Sequence, residues 1–169
     1  MFTIHATRKL LDRVKQPVTD PAVAPTTALG NWYATALFWQ PQVALLVNET
    51  TLIPVLMPLA PASTLIHRFP EALGTTLRAH GIDQAFIDRE LAAMSEGRYA
   101  KTASRSVVGV MNEWAYFSNA YRGDRRADDL VTLALEVSQV PCGPLRNRHG
   151  SADRELQATI ASIHEETAF

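Results

Sequence analysis

The chain opens on an apolar run, residues 2–6, and Leu10, Leu11 and Val14 then recur at helical spacing after Thr7. Threonine is a residue type that caps helices, so the pattern predicts a short strand followed by a short helix. Residues 16–29 carry Pro17, Pro21 and Pro25 among Thr, Ala and Asp, which opposes both helix and central strand. They are expected as an extended surface connector. Three runs dense in β-branched, aromatic and leucine residues follow at 32–39, 43–47 and 51–57, separated by Gln40-Pro41-Gln42 and Asn48-Glu49. Turns that short predict an antiparallel meander. The unbroken apolar character of 43–47 predicts a strand covered on both faces. Pro54 predicts that the third run lies at an edge or carries a bulge, because proline donates no ladder hydrogen bond.

Beyond Pro58 the period changes. Leu65, Phe69, Leu73 and Leu77 fall four apart, the stripe of a helix that Gly81 ends. Asp83 caps a second helix with Phe86, Ile87, Leu91 and Met94 on its buried side, closed by Gly97. A third runs from Ser104 or Ser106 to about Tyr121. At 130–137 the pattern is ambiguous: Val131, Leu133, Leu135 and Val137 alternate as in a strand, whereas Leu130, Ala134 and Val137 suit a helix. A strand returning to the sheet is favoured. Pro141-Cys142-Gly143-Pro144 reads as a turn, and Ser151 as the cap of a last helix bearing Leu156, Ile160 and Ile163. The expected fold class is α+β: one domain over 1–169, an antiparallel sheet of about four to five strands, helices mainly on one face, and residues 146–169 as a C-terminal extension.

Composition narrows the function classes. The chain of 169 residues is 47% hydrophobic, and 16 basic against 17 acidic side chains give a net charge of −1. That balance disfavours a nucleic-acid or anionic-membrane binder held by bulk charge, while leaving room for a local basic patch. Two stretches could form one: Arg8, Lys9, Arg13 and Lys15, and Arg98, Lys101, Arg105, Arg122, Arg125 and Arg126. The single cysteine, Cys142, excludes an intramolecular disulfide, and no secretory signal opens the chain, so a cytoplasmic setting is the expectation. The weakly charged stretch 31–66 is interrupted by Pro41, Pro54, Pro58 and Pro61, which opposes a membrane span.

The most informative segment runs from Lys101 to Glu113. Arg105, Gly109, Asn112 and Tyr116 are spaced by four, three and four residues, so they share one helical stripe. A glycine inside the helix costs about 1 kcal/mol relative to alanine, which predicts close approach of a backbone or ligand at Gly109. Unpaired amides at the helix start, with Lys101, Ser104, Arg105 and Ser106 around them, suit a phosphate or carboxylate. The structural alternative is a serine-capped helix whose glycine packs on a strand and whose Arg105 meets a carboxylate.

Several phrases together, His5-Ala6-Thr7-Arg8-Lys9-Leu10-Leu11, Leu29-Gly30-Asn31-Trp32, Val47-Asn48-Glu49-Thr50-Thr51-Leu52, Arg105-Ser106-Val107-Val108-Gly109-Val110-Met111-Asn112 and Pro141-Cys142-Gly143-Pro144-Leu145, resemble a bacterial domain family of unknown function. The resemblance extends from His5 to about Leu145 and implies a recurring domain without assigned chemistry.

The five histidines, His5, His67, His80, His149 and His164, have no metal-ligand spacing among themselves or with Cys142, so neither a metal nor a cofactor is expected. Cys142 reads as a packed or incidental thiol, although exposure in its turn is plausible. His5 and Glu113 are the only candidate acid–base groups within the distinctive phrases. Most of the aromatic residues read as core. The segment Gly123-Asp124-Arg125-Arg126-Ala127-Asp128-Asp129 reads as a solvated turn. The expectation is a non-catalytic binding or interaction module with an anion site at the start of the 104–121 helix. An enzyme acting on a phosphate-bearing or nucleic-acid substrate is the alternative, and a structural partner that offers the Pro54 edge to another protein is the third.

Overall fold

The computed structural model describes residues 1–20, 23–124 and 129–168. Its five strands are β1 (Phe2–Ala6), β2 (Trp32–Leu37), β3 (Val43–Asn48), β4 (Pro54–Pro58) and β5 (Gly97–Lys101), in the order β4-β3-β2-β1-β5. The six α-helices among the described residues are α1 (Arg8–Val14), α2 (Leu65–Ala79), α3 (Gln84–Ala92), α4 (Arg105–Tyr121), α5 (Leu130–Ser138) and α6 (Ala152–Thr167).

The β2–β3–β4 meander is antiparallel, as its short turns require, and Pro54 opens the edge strand β4, where its missing donor costs least. The sheet as a whole is mixed, which corrects the expectation of an antiparallel one. β1 lies at the centre of its half and pairs parallel to both β2 and β5. The reason is the return path: α1 and the connector carry the chain back past β1 before β2 begins, so β2 runs in the same direction. β5 was hidden because Gly97, Arg98 and Lys101 give it no apolar run, and pairing with β1 defines it. Val18 bridges Tyr99 and the Thr19 amide donates to the Tyr99 carbonyl at 2.9 Å, so the start of the connector covers the outer edge of β5. Pro21 lies outside the described residues.

The segment at 130–137 is helix rather than strand. Leu133, Ala134 and Val137 are its buried residues, and Asp129 accepts from the Thr132 amide at 3.3 Å as its cap. α5 packs along β4, so the edge carrying Pro54, expected as a surface for a partner, is already covered within the chain.

Helices lie on both faces of the sheet, which corrects the expectation of helices mainly on one face and agrees with 43–47 as a strand covered on both. Trp32 meets Phe69 of α2 edge-on at 5.0 Å between ring centroids, and every residue of β2 and β3 is buried. Tyr33, the next residue, points to the opposite side, where its hydroxyl meets the start of α4. Arg68 ties the β4–α2 connection by donating to the Pro58, Leu59 and Pro61 carbonyls at 2.9, 2.9 and 3.0 Å.

Candidate functional site

β1 and β5 are adjacent, parallel and in register, with His5 opposite Ala100 and Ala6 opposite Lys101. Their carboxyl ends therefore share one edge of the sheet, and β5 continues directly into α4. His5 is 6% exposed at that edge. Its Nδ1 lies 2.9 Å from the Lys101 carbonyl oxygen. A carbonyl only accepts, so Nδ1 carries a hydrogen, and in the neutral ring the lone pair is then on Nε2. The imidazole stacks on Tyr33, its register partner on β2, at 4.7 Å and 21°. The Tyr33 hydroxyl accepts the Ser104 amide at 2.9 Å, and Ser104 Oγ accepts the Val107 amide at 3.3 Å. A buried ring pair thus links β1, β2 and β5 to the first turn of α4. With the Ser104 side chain turned to Val107, the amides of Arg105 and Ser106 are not served by the cap, and the positive end of the helix dipole lies there.

Lys101, Arg105 and Ser106 are exposed beside that turn, and Ser104 is half-buried. The rest of the stripe is solvent-facing: Asn112 and Glu113 are exposed and Tyr116 is 71% exposed. No other part of the chain approaches Gly109, where an added Cβ meets nothing within 4 Å. That corrects the reading of the glycine as packing on a strand. At about 1.5 Å per residue, Asn112 and Tyr116 stand well beyond the first turn. Glu113 is not brought to His5. Its electrostatic neighbour is Cys142, whose thiol is pushed up by burial first and by Glu113 second. Cys142 is 2% exposed although Pro141, Gly143 and Pro144 around it are exposed, which corrects the plausible exposure of its thiol and leaves a poor nucleophile.

Most of the phrases quoted above are architectural. Asn48 is fully buried; its Nδ2 donates to the Leu29 carbonyl at 2.9 Å, and its Oδ1 accepts from the Thr50 and Thr51 amides at 3.1 and 2.9 Å. Asn31 Oδ1 accepts the Thr3 amide at 2.9 Å, and Glu49 accepts the Asn31 amide at 2.9 Å. Gly30, at φ +80°, has the Glu49 carboxylate 2.8 Å from where a Cβ would stand. A side chain there is strained by the positive φ and displaces the Glu49 carboxylate from the Asn31 amide.

Three groups escaped the sequence. Tyr33 reads as one more aromatic in an apolar run. Glu90 is 2% exposed and accepts the Ala28 and Leu29 amides at 2.8 and 3.3 Å, while burial raises its carboxyl above the ordinary value. Glu155, also 2% exposed, is held by Arg148 and by His149 Nδ1 at 2.6 Å. None of the three lies in a motif, since their partners come from distant segments or an irregular loop. Arg125, Arg126 and Asp128 lie outside the described residues. Among those described, no three His, Cys, Asp or Glu side chains cluster as metal ligands, and no helix is long and apolar enough to cross a membrane.

No curated protein and no solved structure matches the chain. A family model does, and it runs past Leu145 to take in Arg148, His149 and Glu155, so the resemblance ends later than the quoted phrases imply. The match over residues 3–155 makes this chain a member of the family described as a domain of unknown function, DUF6933.

Proposed function

We propose that the chain is a binding module that holds a phosphate- or carboxylate-bearing ligand at the common carboxyl edge of β1 and β5, on the first turn of α4. The carrying observation is the His5–Tyr33–Ser104 linkage, which fixes that turn on three strands while its cap leaves the Arg105 and Ser106 amides for another acceptor. Lys101 and Arg105 add positive charge at the same end, and the helix dipole has the same sign. Ligand contact in this reading ends at the first turn. Asn112 and Tyr116 form the exposed continuation of the stripe, and the space beside Gly109 is open.

A thermal-shift titration with inorganic phosphate, nucleotides and dicarboxylates tests it. Ligands raise the melting temperature of the wild type and leave a folded Arg105→Ala, Lys101→Ala double variant unchanged. Equal shifts in both proteins, or none in either, contradict the reading.

One observation favours the enzyme alternative. The Lys101 carbonyl holds His5 in a single tautomer, leaving Nε2 as a proton acceptor, the arrangement a general base requires. Hydrolysis of a phosphate ester that disappears in His5→Asn while ligand binding persists would establish it; unchanged hydrolysis would dismiss it.

A further inference from the structure

Cations from both basic stretches of the sequence lie over two consecutive aromatic residues away from the α4 start. After β2 the chain turns through Phe38 and Trp39 toward β3. Phe38 is 52% exposed, an unusual setting beside a strand whose six residues are all buried. Lys9 Nζ stands 5.9 Å and Arg13 Cζ 5.2 Å from its ring centroid. The two cations are four residues apart on α1, so one face of that helix delivers both to one ring. Arg122, just past the end of α4, lies over the adjacent Trp39 ring at 4.1 Å. A guanidinium stacked on an indole uses its face and keeps its in-plane N–H donors available for an anion. Arg8 and Lys15 are also exposed on or beside α1, against a single carboxylate there, Asp12. The near-neutral total charge thus conceals a local positive surface around exposed aromatic area.

We infer that Phe38, with Lys9, Arg13 and Arg122, is a stacking site for the unpaired bases of single-stranded nucleic acid. An exposed aromatic ring takes a base of any sequence on its open face, and cations that lie over the ring from α1 take the neighbouring phosphates. Paired bases hide their faces within the duplex, which favours a single strand. A ring standing on a turn offers one open surface along which a strand can pass, and cations on α1 and at the end of α4 sit on both Phe38 and its neighbour. This surface is distinct from the α4 start and does not depend on the anion reading given above.

The test is fluorescence anisotropy of the full chain with a labelled decathymidine at about 50 mM salt. The wild type binds, and Phe38→Ala lowers affinity about tenfold or more. Phe38→Tyr restores most of it. Lys9→Gln and Arg13→Gln each weaken binding and reduce the slope of log affinity against log salt by roughly 0.7 to 1. Circular dichroism melting checks that each variant is folded, which the exposure of these side chains favours. Absence of binding overturns the proposal, as does binding indifferent to Phe38→Ala. Phe38-dependent self-association in sedimentation without oligonucleotide binding also overturns it, and assigns the patch to contact between copies.

Discussion

Tyr33→Phe isolates the link between sheet and α4 with a single atom. The ring remains, and with it the stacking on His5; what goes is the acceptor 2.9 Å from the Ser104 amide. A fully buried amide stripped of its partner costs about 1–3 kcal/mol. Ser104 is half-buried and water can partly replace the hydroxyl, so the lower part of that range applies, about 1–2 kcal/mol. For a chain of this length that lowers the melting temperature by about 3–6 °C. Ser104→Ala removes a different bond, the cap on the Val107 amide, at about 1 kcal/mol. Urea denaturation of wild type, both single variants and the double variant gives each value, while Tyr116→Phe at the exposed end of the stripe stays within error of wild type. Because the first turn of α4 frays without its anchor, Tyr33→Phe also weakens phosphate binding several-fold. A stability change below about 0.3 kcal/mol would refute the claim that Tyr33 holds this turn in place.

Gly97→Ala and Gly109→Ala are expected to move stability in opposite directions. A Cβ at Gly97 would stand 2.6 Å from the Phe2 ring and 2.9 Å from Ile66, both buried, so overpacking costs about 1–3 kcal/mol. At Gly109 the space is open and alanine stabilises the helix by about 0.5–1 kcal/mol, read in the same denaturation assay. Glu90 supplies a pH dependence. Its folded carboxyl is raised above 4.5, so the folded state holds its proton more tightly than the unfolded chain. That contribution is complete below pH 4.5 and is lost as pH rises through the raised value; Glu90→Gln removes this slope from a plot of stability against pH. Glu155→Ala leaves Arg148 and His149 without their common acceptor and opens a buried space under α6, and a clear loss of melting temperature is expected.

The parts legible in the sequence are those governed by local spacing. Four-residue recurrence located α2, Ser104 and Asp83 marked the caps of α4 and α3, and two short turns gave the meander. What escaped depends on distant pairing. β5 has no apolar signature of its own, and its parallel partner lies almost a hundred residues upstream; the same crossover turned an antiparallel expectation into a mixed sheet. The pattern at 130–137 carries both periods, and packing of Leu133, Ala134 and Val137 along β4 belongs to the helix. At the site, the cationic and serine side chains were visible as a motif. Gly109 does not mark packing within the chain, because no other part of the chain stands near it. Tyr33 was missed because its role comes from which residue of another strand sits in register with it.

The most direct measurement is a 15N–1H NMR titration with inorganic phosphate, following the backbone amides and the His5 ring. The account predicts the largest shifts at the Arg105 and Ser106 amides, a response of the His5 ring, and their loss in a folded Arg105→Ala, Lys101→Ala variant. Saturating shifts clustered elsewhere, or none at millimolar phosphate, would contradict an anion site on the first turn of α4.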